Sequence, residues 1–206
     1  MSIIVFALVS YLIGSISFAV IVSRAFALPD PRTYGSGNPG ATNVLRTGRK
    51  AAAALTLVGD GAKGWLAVFI AQRLGDPATV ELGMALAAIA AVVGHMYPLF
   101  FRFQGGKGVS TALGVLIALN IYLAAGAAAT WIVMAVFFRI SSLAALVSAL
   151  FAPFFTLILF NAYHPYFWGA VVIALLLVWR HRTNIRNLLA GTEGRFGSGA
   201  NGASKD

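Results

Sequence analysis

Long stretches without charged side chains are the feature that most restricts how this chain folds. Among its 206 residues, no Asp, Glu, Lys or Arg occurs at 1–23, 82–101, 108–138 or 140–179. Charged residues make up 10% of the chain, less than half of the roughly 25% found in soluble domains. A soluble domain of this size could not cover its core with so few charges. The sequence therefore predicts an all-α integral membrane protein with several helices.

Cysteine is absent and apolar residues dominate, which excludes several other classes of protein. Without cysteine, the chain cannot form a disulfide scaffold, a thiolate zinc site, an iron–sulfur cluster or a cysteine nucleophile. A hydrophobic fraction of 59% excludes disorder, except in the Gly- and Ser-rich tail at 194–206. We expect a single domain over 1–193, with no metal, no cofactor and no nucleic-acid partner.

Five transmembrane segments can be placed directly, since a spanning helix needs about 20 apolar residues. They are 3–23, 51–72, 78–98 and two segments within 140–179, which divides at a turn over 161–165. The residues before the first segment include no basic group, so we interpret it as a span and not as a signal peptide.

The stretch 108–138 is ambiguous by length. As one helix its 31 residues would rise about 46 Å, too long for one crossing and short for two. Loops rich in Lys and Arg stay in the cytoplasm, and this rule requires two crossings between Lys107 and Arg139. The sequence then predicts seven transmembrane helices, an outer N-terminus and a cytoplasmic C-terminus. Helices four and five are expected to be short, strongly tilted or partly re-entrant.

In this topology nearly all of the net charge of +9 lies on the cytoplasmic face. Positive-inside bias and anionic lipid headgroups account for part of it. Three polar segments on that face favour an additional anion-binding site.

The first cytoplasmic loop combines glycines, polar side chains and one arginine. Glycines expose backbone N–H groups that can bind an oxyanion, and arginine adds a planar, charged donor. The loop lacks the Gly-Lys-Ser/Thr sequence of a Walker motif, and an ordinary flexible linker is the alternative. Its candidate phosphate ligands are Ser36, Gly37, Asn38, Gly40, Asn43 and Arg46.

The second loop is a Gly-Gly-Lys-Gly sequence that opens a helix. The N–H groups and dipole of the helix N-terminus act in the same direction as the cation of Lys107. Aromatic residues between 97 and 103 suit an interfacial belt. The predicted ligands are Gly105, Gly106, Lys107, Gly108 and Thr111, with His95 as structural support.

The third segment, 180–193, is basic and polar. On a helix, His181 and Asn184 share a face, so both can point into one site, with Arg186 on a neighbouring position. Glu193 is expected to pair with an arginine of this segment. A basic anchor at the membrane surface is the alternative interpretation.

Asp60 and Lys63 lie three residues apart within the second span. An ionisable pair inside a membrane marks a functional site by default, and at this spacing the two charges can neutralise each other. We interpret the pair as support for the site wall or for helix packing, with a direct part in catalysis as the alternative.

Together these motifs, in this order, resemble those of the bacterial acyl-phosphate:glycerol-3-phosphate acyltransferase family, over residues 5–194. The fold implied is seven helices with catalytic loops at the cytoplasmic interface of the inner membrane. The matching positions are 36–43 with Arg46, Gly94, His95, Pro98, 105–108, Thr111, His181, 184–186, Gly191, Glu193 and the Asp60, Lys63, Gly64 spacing.

The resemblance implies transfer of a fatty acyl group from acyl phosphate to the 1-hydroxyl of glycerol 3-phosphate. The products would be lysophosphatidate and phosphate, in the first step of phospholipid synthesis. We expect a monomer in contact with membrane lipids. The residues expected to act in catalysis are Ser36, Arg46, Lys107, His181 and Asn184.

The base that activates the hydroxyl stays open at this point. No histidine has an aspartate five residues on, the spacing of many acyltransferases. His95 or His181 could act near neutral pH. The phosphate of the donor, with a second pKa of about 6, is favoured because a cationic cradle would hold it beside the hydroxyl. Ser36 would then orient the reactants without becoming acylated.

Two other functions remain possible from the residues alone. Helices broken by glycine also occur in transporters, so a carrier of phosphorylated metabolites is one alternative. The sequence lacks internal repeats and its polar motifs lie at one face, which disfavours transport. A lipid-binding structural protein is the weaker alternative.

Overall fold

The computed structural model describes residues 2–195. The predicted tail at 194–206 therefore lies outside the described residues, apart from its first two positions. Ten α-helices occur in the described part: α1 Ile3–Gly14, α2 Phe18–Ala25, α3 Ala41–Leu45, α4 Lys50–Leu74, α5 Val80–Met96, α6 Val109–Leu119, α7 Ile121–Phe138, α8 Ser141–Leu159, α9 Pro165–Arg180 and α10 Arg182–Leu189.

Five segments are long and apolar enough to cross a membrane, namely Ile3–Ala25, Lys50–Leu74, Val80–Phe101, Ile121–Phe138 and Ser141–Leu159. Helices α6 and α9 are apolar but shorter. With 11 residues, α6 rises about 16 Å, half of the roughly 30 Å of a hydrocarbon core. Of the two helices expected to be short, strongly tilted or partly re-entrant, α6 is short with 11 residues and α7 has 18.

The first predicted span is interrupted between α1 and α2. Ser15 donates its hydroxyl to the Tyr11 carbonyl at 2.8 Å, a local bond that competes with the helical pattern. The Ile16 carbonyl, released by the break, accepts a hydrogen bond from Lys63 Nζ at 2.5 Å. A buried cation of α4 thus satisfies a backbone group that lipid could not.

Small residues let the helices approach closely. α1 packs along α5, α4 along α6 and α7 along α8. A Cβ atom at Gly114 of α6 would overlap the Gly61 carbonyl of α4, and one at Gly64 would overlap the Thr111 carbonyl. Such contacts are typical of helices in lipid, where close backbone packing replaces the hydrophobic driving force.

The three polar segments meet at one end of the bundle. Thr42 Oγ1 lies 3.3 Å from Ser141 Oγ at the start of α8, and Lys107 bonds to Asn184 of α10. Since Lys107 and Ser141 reach the same end, the intervening chain descends along α6 and returns along α7. This reversal places α6, α7, α8 and α9 around one space below the polar end.

Candidate active site

A cavity of about 360 Å³ begins where the polar segments meet and continues between the apolar helices. Its upper part is polar and its lower part is lined by alanine, leucine and isoleucine. The predicted site residues that line it are Ser36, Asn38, Gly40, Asn43, Arg46, Asp60, His95, Lys107, Gly108, His181, Asn184 and Glu193.

Asn43 organises the first loop from within. Its side chain is 2% exposed, and its Nδ2 donates to the carbonyls of Pro31 (2.7 Å) and Tyr34 (3.1 Å). Its Oδ1 accepts the backbone N–H of Ser36 at 3.1 Å. Both amide protons are used inside the loop, so in this structure Asn43 positions Ser36.

The glycine-rich second loop is fixed by His95 and Arg180. The N–H of Gly106 donates to the His95 carbonyl at 3.1 Å, and a Cβ at Gly106 would overlap His95 Nε2. Gly108 has a φ of +89°, which favours glycine. The backbone that precedes α6 therefore has little freedom to move.

Arg180, at the end of α9, is a site residue that sequence reasoning missed. Its Nη2 donates to the Gly105 carbonyl at 2.7 Å, and Nε and Nη2 both donate to the Gly106 carbonyl at 3.1 Å. The guanidinium also lies over the Tyr97 ring, 5.2 Å from its centroid. A cation next to His181 was visible in the sequence, but its partners lie 74 and 75 residues away.

Lys107 begins a chain of polar contacts that crosses the site. Its Nζ donates to Asn184 Oδ1 at 2.5 Å, and Asn184 Nδ2 donates to Glu193 Oε1 at 2.6 Å. Ser142 of α8 donates to the same carboxylate oxygen at 2.6 Å. Glu193 is thus held by a serine and an amide, which corrects the expectation of an arginine partner. Ser142 is a second residue that the motifs did not indicate.

Among the described residues, the positive charge of Lys107 is not balanced by a negative charge in direct contact with it. Burial is the largest of the effects that lower the pKa of Lys107 to about 8; Glu193 raises this pKa, and Arg180 and Arg46 lower it. Burial raises the pKa of Glu193, but hydrogen bonds from Ser142 and Asn184 outweigh this and hold it below its usual value. At neutral pH the site therefore contains a lysine cation that an added anion would stabilise.

His181 is neutral at physiological pH. Its side chain is buried, and Nδ1 lies 2.7 Å from the Leu177 carbonyl. Because a carbonyl only accepts, Nδ1 carries the proton and Nε2 has the free lone pair. Burial lowers the pKa of His181 to about 4, against the opposing effect of the Leu177 hydrogen bond. Nε2 can accept a hydrogen bond but is a weak base.

Asp60, Lys63 and His95 form a buried cluster beside the cavity. Lys63 Nζ lies 2.8 Å from Asp60 Oδ1, and His95 Nδ1 lies 3.5 Å from the same oxygen. Asp60 and His95 line the cavity, while Lys63 faces the break between α1 and α2. The cluster connects that break to the backbone of the glycine-rich loop.

Other predicted ligands lie outside the cavity. Gly37 and Gly105 line a neighbouring polar cavity of about 300 Å³ with Arg32 and Arg180. Thr111 is fully buried where α6 meets α4. Arg186 is exposed on α10 and does not line either cavity.

Most of the chain matches the model of one protein family. The profile described as glycerol-3-phosphate acyltransferase matches residues 4–191. The chain belongs to this family. Members of the glycerol-3-phosphate acyltransferase family include a Burkholderia multivorans protein that is 57% identical over all of this chain and 98% of its own length. A Ralstonia nicotianae member is 60% identical and is matched over 94% of both chains.

Solved structures of the family agree with the fold. Two crystal structures of PlsY (YgiH), an integral membrane glycerol 3-phosphate acyltransferase, superpose on this chain with TM-scores of 0.88 and 0.87. They are 36% and 35% identical to it, and each match covers 96% of both chains. One is the glycerol 3-phosphate form and the other the lysophosphatidic acid form. The protein is thus a multi-pass membrane acyltransferase, and its family places it in phospholipid synthesis.

Proposed function

We propose that this protein transfers a fatty acyl group from acyl phosphate to the 1-hydroxyl of glycerol 3-phosphate. The observation that carries the proposal is the position of Lys107, a half-buried cation where the polar and apolar parts of one cavity meet. A donor whose phosphate is joined directly to an acyl chain suits this junction. The glycerol 3-phosphate and lysophosphatidic acid forms of PlsY support the acceptor and the product.

Two phosphate groups must be accommodated, one on each substrate. Lys107 and Arg46 both line the cavity, as do Gly40 of the first loop and Gly108 of the second. Charge-assisted hydrogen bonds of this kind are the strong ones. Ser36 and Asn184 supply further polar groups at the cavity wall.

In the reaction, the 1-hydroxyl oxygen of glycerol 3-phosphate attacks the carbonyl carbon of acyl phosphate. The hydroxyl proton passes to the phosphate of the donor, the bond between the acyl carbon and the phosphate oxygen breaks, and hydrogen phosphate leaves. Fixed cations stabilise the charge that develops during the attack. The low pKa of His181, about 4, supports the donor phosphate as the base, because its second pKa is about 6.

The proposal includes seven membrane crossings, with the N-terminus outside and the site facing the cytoplasm of a bacterial inner membrane. The return of the chain from Lys107 to Ser141 at one end of the bundle supports two crossings there, the first by the half-length α6. Basic side chains around that end, among them Arg24, Arg46, Arg102 and Arg182, support a cytoplasmic orientation. One chain supplies all of the residues that line the cavity, which supports a functional monomer.

The test is product formation by purified protein in detergent, where transport has no meaning. Palmitoyl phosphate and glycerol 3-phosphate should yield lysophosphatidate and phosphate in equal amounts, detected by mass spectrometry and phosphate release. Palmitoyl coenzyme A in place of palmitoyl phosphate is the donor control. Full activity with the coenzyme A thioester, or loss of activity in chelator, would contradict the proposal.

A further inference from the structure

We infer that the apolar end of the cavity has a floor that limits the acyl chain to about the length of one bilayer leaflet, with Ala152 and Ala127 as the specificity-determining residues. The inference rests on the acyl donor proposed above. It goes further by naming which residues select the length of that donor.

The cavity-lining part of each of the helices α6, α7, α8 and α9 has a similar length. The lining extends from the polar end to Leu119 of α6, Ala127 of α7, Ala152 of α8 and Ala170 of α9. Each of these residues lies ten or eleven positions from the polar end of its helix. At 1.5 Å per residue the lined part of each helix is about 15 to 17 Å long. Half of a hydrocarbon core of about 30 Å has the same length.

A turn between α6 and α7 closes the cavity at this depth. α6 ends at Leu119, and Asn120 caps α7 by accepting the N–H groups of Tyr122 (2.8 Å) and Leu123 (3.3 Å). The cap stabilises the chain reversal between α6 and α7. Because the chain turns here, Leu123 and Ala124 near the start of α7 are buried against residues that line the cavity.

These side chains belong to one packed cluster. Its members are Leu116, Leu123, Ala124, Ala127 and Ala152, with Leu113, Phe155 and Phe160 packed against them. Phe160 also contacts the edge of Tyr166, 5.3 Å between ring centroids. Tyr166 is buried and donates its hydroxyl to Met84 Sδ. Aromatic rings and leucines therefore fill the space below the cavity, and a chain cannot extend without displacing them.

The wall just above the floor is small and apolar. Ala127 of α7 and Ala152 of α8 are 4% and 9% exposed and belong to the same buried cluster. Ser148, the polar side chain at this level of the lining, donates its hydroxyl to the Ala127 carbonyl at 2.7 Å. Methyl groups at 127 and 152 leave room for the end of a chain, and larger side chains would occupy that room.

The experiment compares lauroyl, myristoyl, palmitoyl and stearoyl phosphate as donors for the wild-type enzyme and for Ala152→Phe. Each methylene that no longer fits loses about fourfold in binding, so loss of two should lower kcat/KM for palmitoyl phosphate about fifteenfold. Lauroyl phosphate should be affected less than about twofold, because it does not reach the floor. Ala127→Leu should likewise shift the preference toward shorter donors. It serves as the test if Ala152→Phe does not fold.

Leu150→Phe is the matched control. Leu150 lies on the same helix but is 62% exposed, on the outer surface, so its variant should keep the wild-type order of donors. An Ala152→Phe or Ala127→Leu enzyme that is folded and active but keeps that order would overturn the inference. It would show that the chain leaves the cavity between helices. A wild-type enzyme that accepts none of the four donors would overturn the proposed reaction itself, a distinct result.

Discussion

Lys107 Nζ donates to Asn184 Oδ1 across 2.5 Å, joining two polar segments that are 77 residues apart. The partner is a neutral amide, and the carboxylate of Glu193 lies one hydrogen bond further away. The lysine is therefore oriented without being neutralised. Such an arrangement keeps a fixed charge ready for an anionic group, without reorganisation during the reaction.

Replacing Lys107 tests this arrangement. Lys107→Ala should lower kcat about 10²–10³-fold, the usual loss when one transition-state donor is removed. Arg49→Ala, which removes an exposed cation outside the cavity, should leave kcat within about twofold. Equal losses in the two variants would mean that net basic charge, and not the position of Lys107, matters.

The pKa of Lys107, about 8, predicts the alkaline limb of the pH profile. The side chain is charged below this pH and neutral above it, so kcat/KM should fall as pH rises through about 8. Bound phosphate stabilises the cation, so the corresponding limb of kcat should lie higher. In Lys107→Arg the limb should disappear from the range below pH 10, since arginine stays protonated. A limb at the same pH in that variant would assign it to another group.

The acidic limb distinguishes the candidate bases. His181 has a pKa of about 4, so we expect it to be neutral from pH 5 to 9 and to produce no limb near pH 6. Such a limb should persist in both His181→Ala and His95→Ala, with lower amplitude, if the donor phosphate takes the proton. Its disappearance in one variant would identify that histidine as the base.

The Asp60–Lys63 pair predicts non-additive effects on stability. Lys63→Met alone leaves a buried carboxylate without its cation and should cost about 3–5 kcal/mol of unfolding free energy. Asp60→Leu combined with Lys63→Met removes both charges and should cost less than Lys63→Met alone. Part of the loss should persist, because Lys63 also binds the Ile16 carbonyl. Thermal unfolding in one detergent compares Asp60→Leu, Lys63→Met and the double variant. A loss of stability in the double variant equal to the sum of the two single losses would contradict the pairing.

The membrane orientation can be tested by single-cysteine labelling, since the chain has no native cysteine. Cysteines at Asn38, Gln104 and Asn187 should react with an impermeant thiol reagent only from the cytoplasmic side. Cysteines at Asp76 and Tyr163, both exposed in loops at the opposite end, should react only from outside. Reaction of the Asn187 variant from outside would refute the seven-crossing topology.

The sequence by itself determined the helical membrane fold and the polar segments of the site. Long charge-free stretches predict transmembrane helices because the length and polarity of a segment can be read from its own residues. The spacing of Asp60 and Lys63 also predicts their 2.8 Å ion pair, because residues three apart on a helix are neighbours. His181 and Asn184, placed on one helix face by their spacing, both line the cavity.

The tertiary structure alone decided the hydrogen-bond partners of the site residues. Asn43 holds its own loop, Arg180 binds the carbonyls of Gly105 and Gly106, and Ser142 replaces an arginine beside Glu193. The depth of the cavity likewise follows from a turn at Asn120 that packs under helices distant in sequence. Spacing along one element fixes which side chains share a face, but a hydrogen bond between elements depends on how the helices pack. That packing depends on close backbone contacts, such as Gly61 with Gly114, whose partners no local pattern specifies.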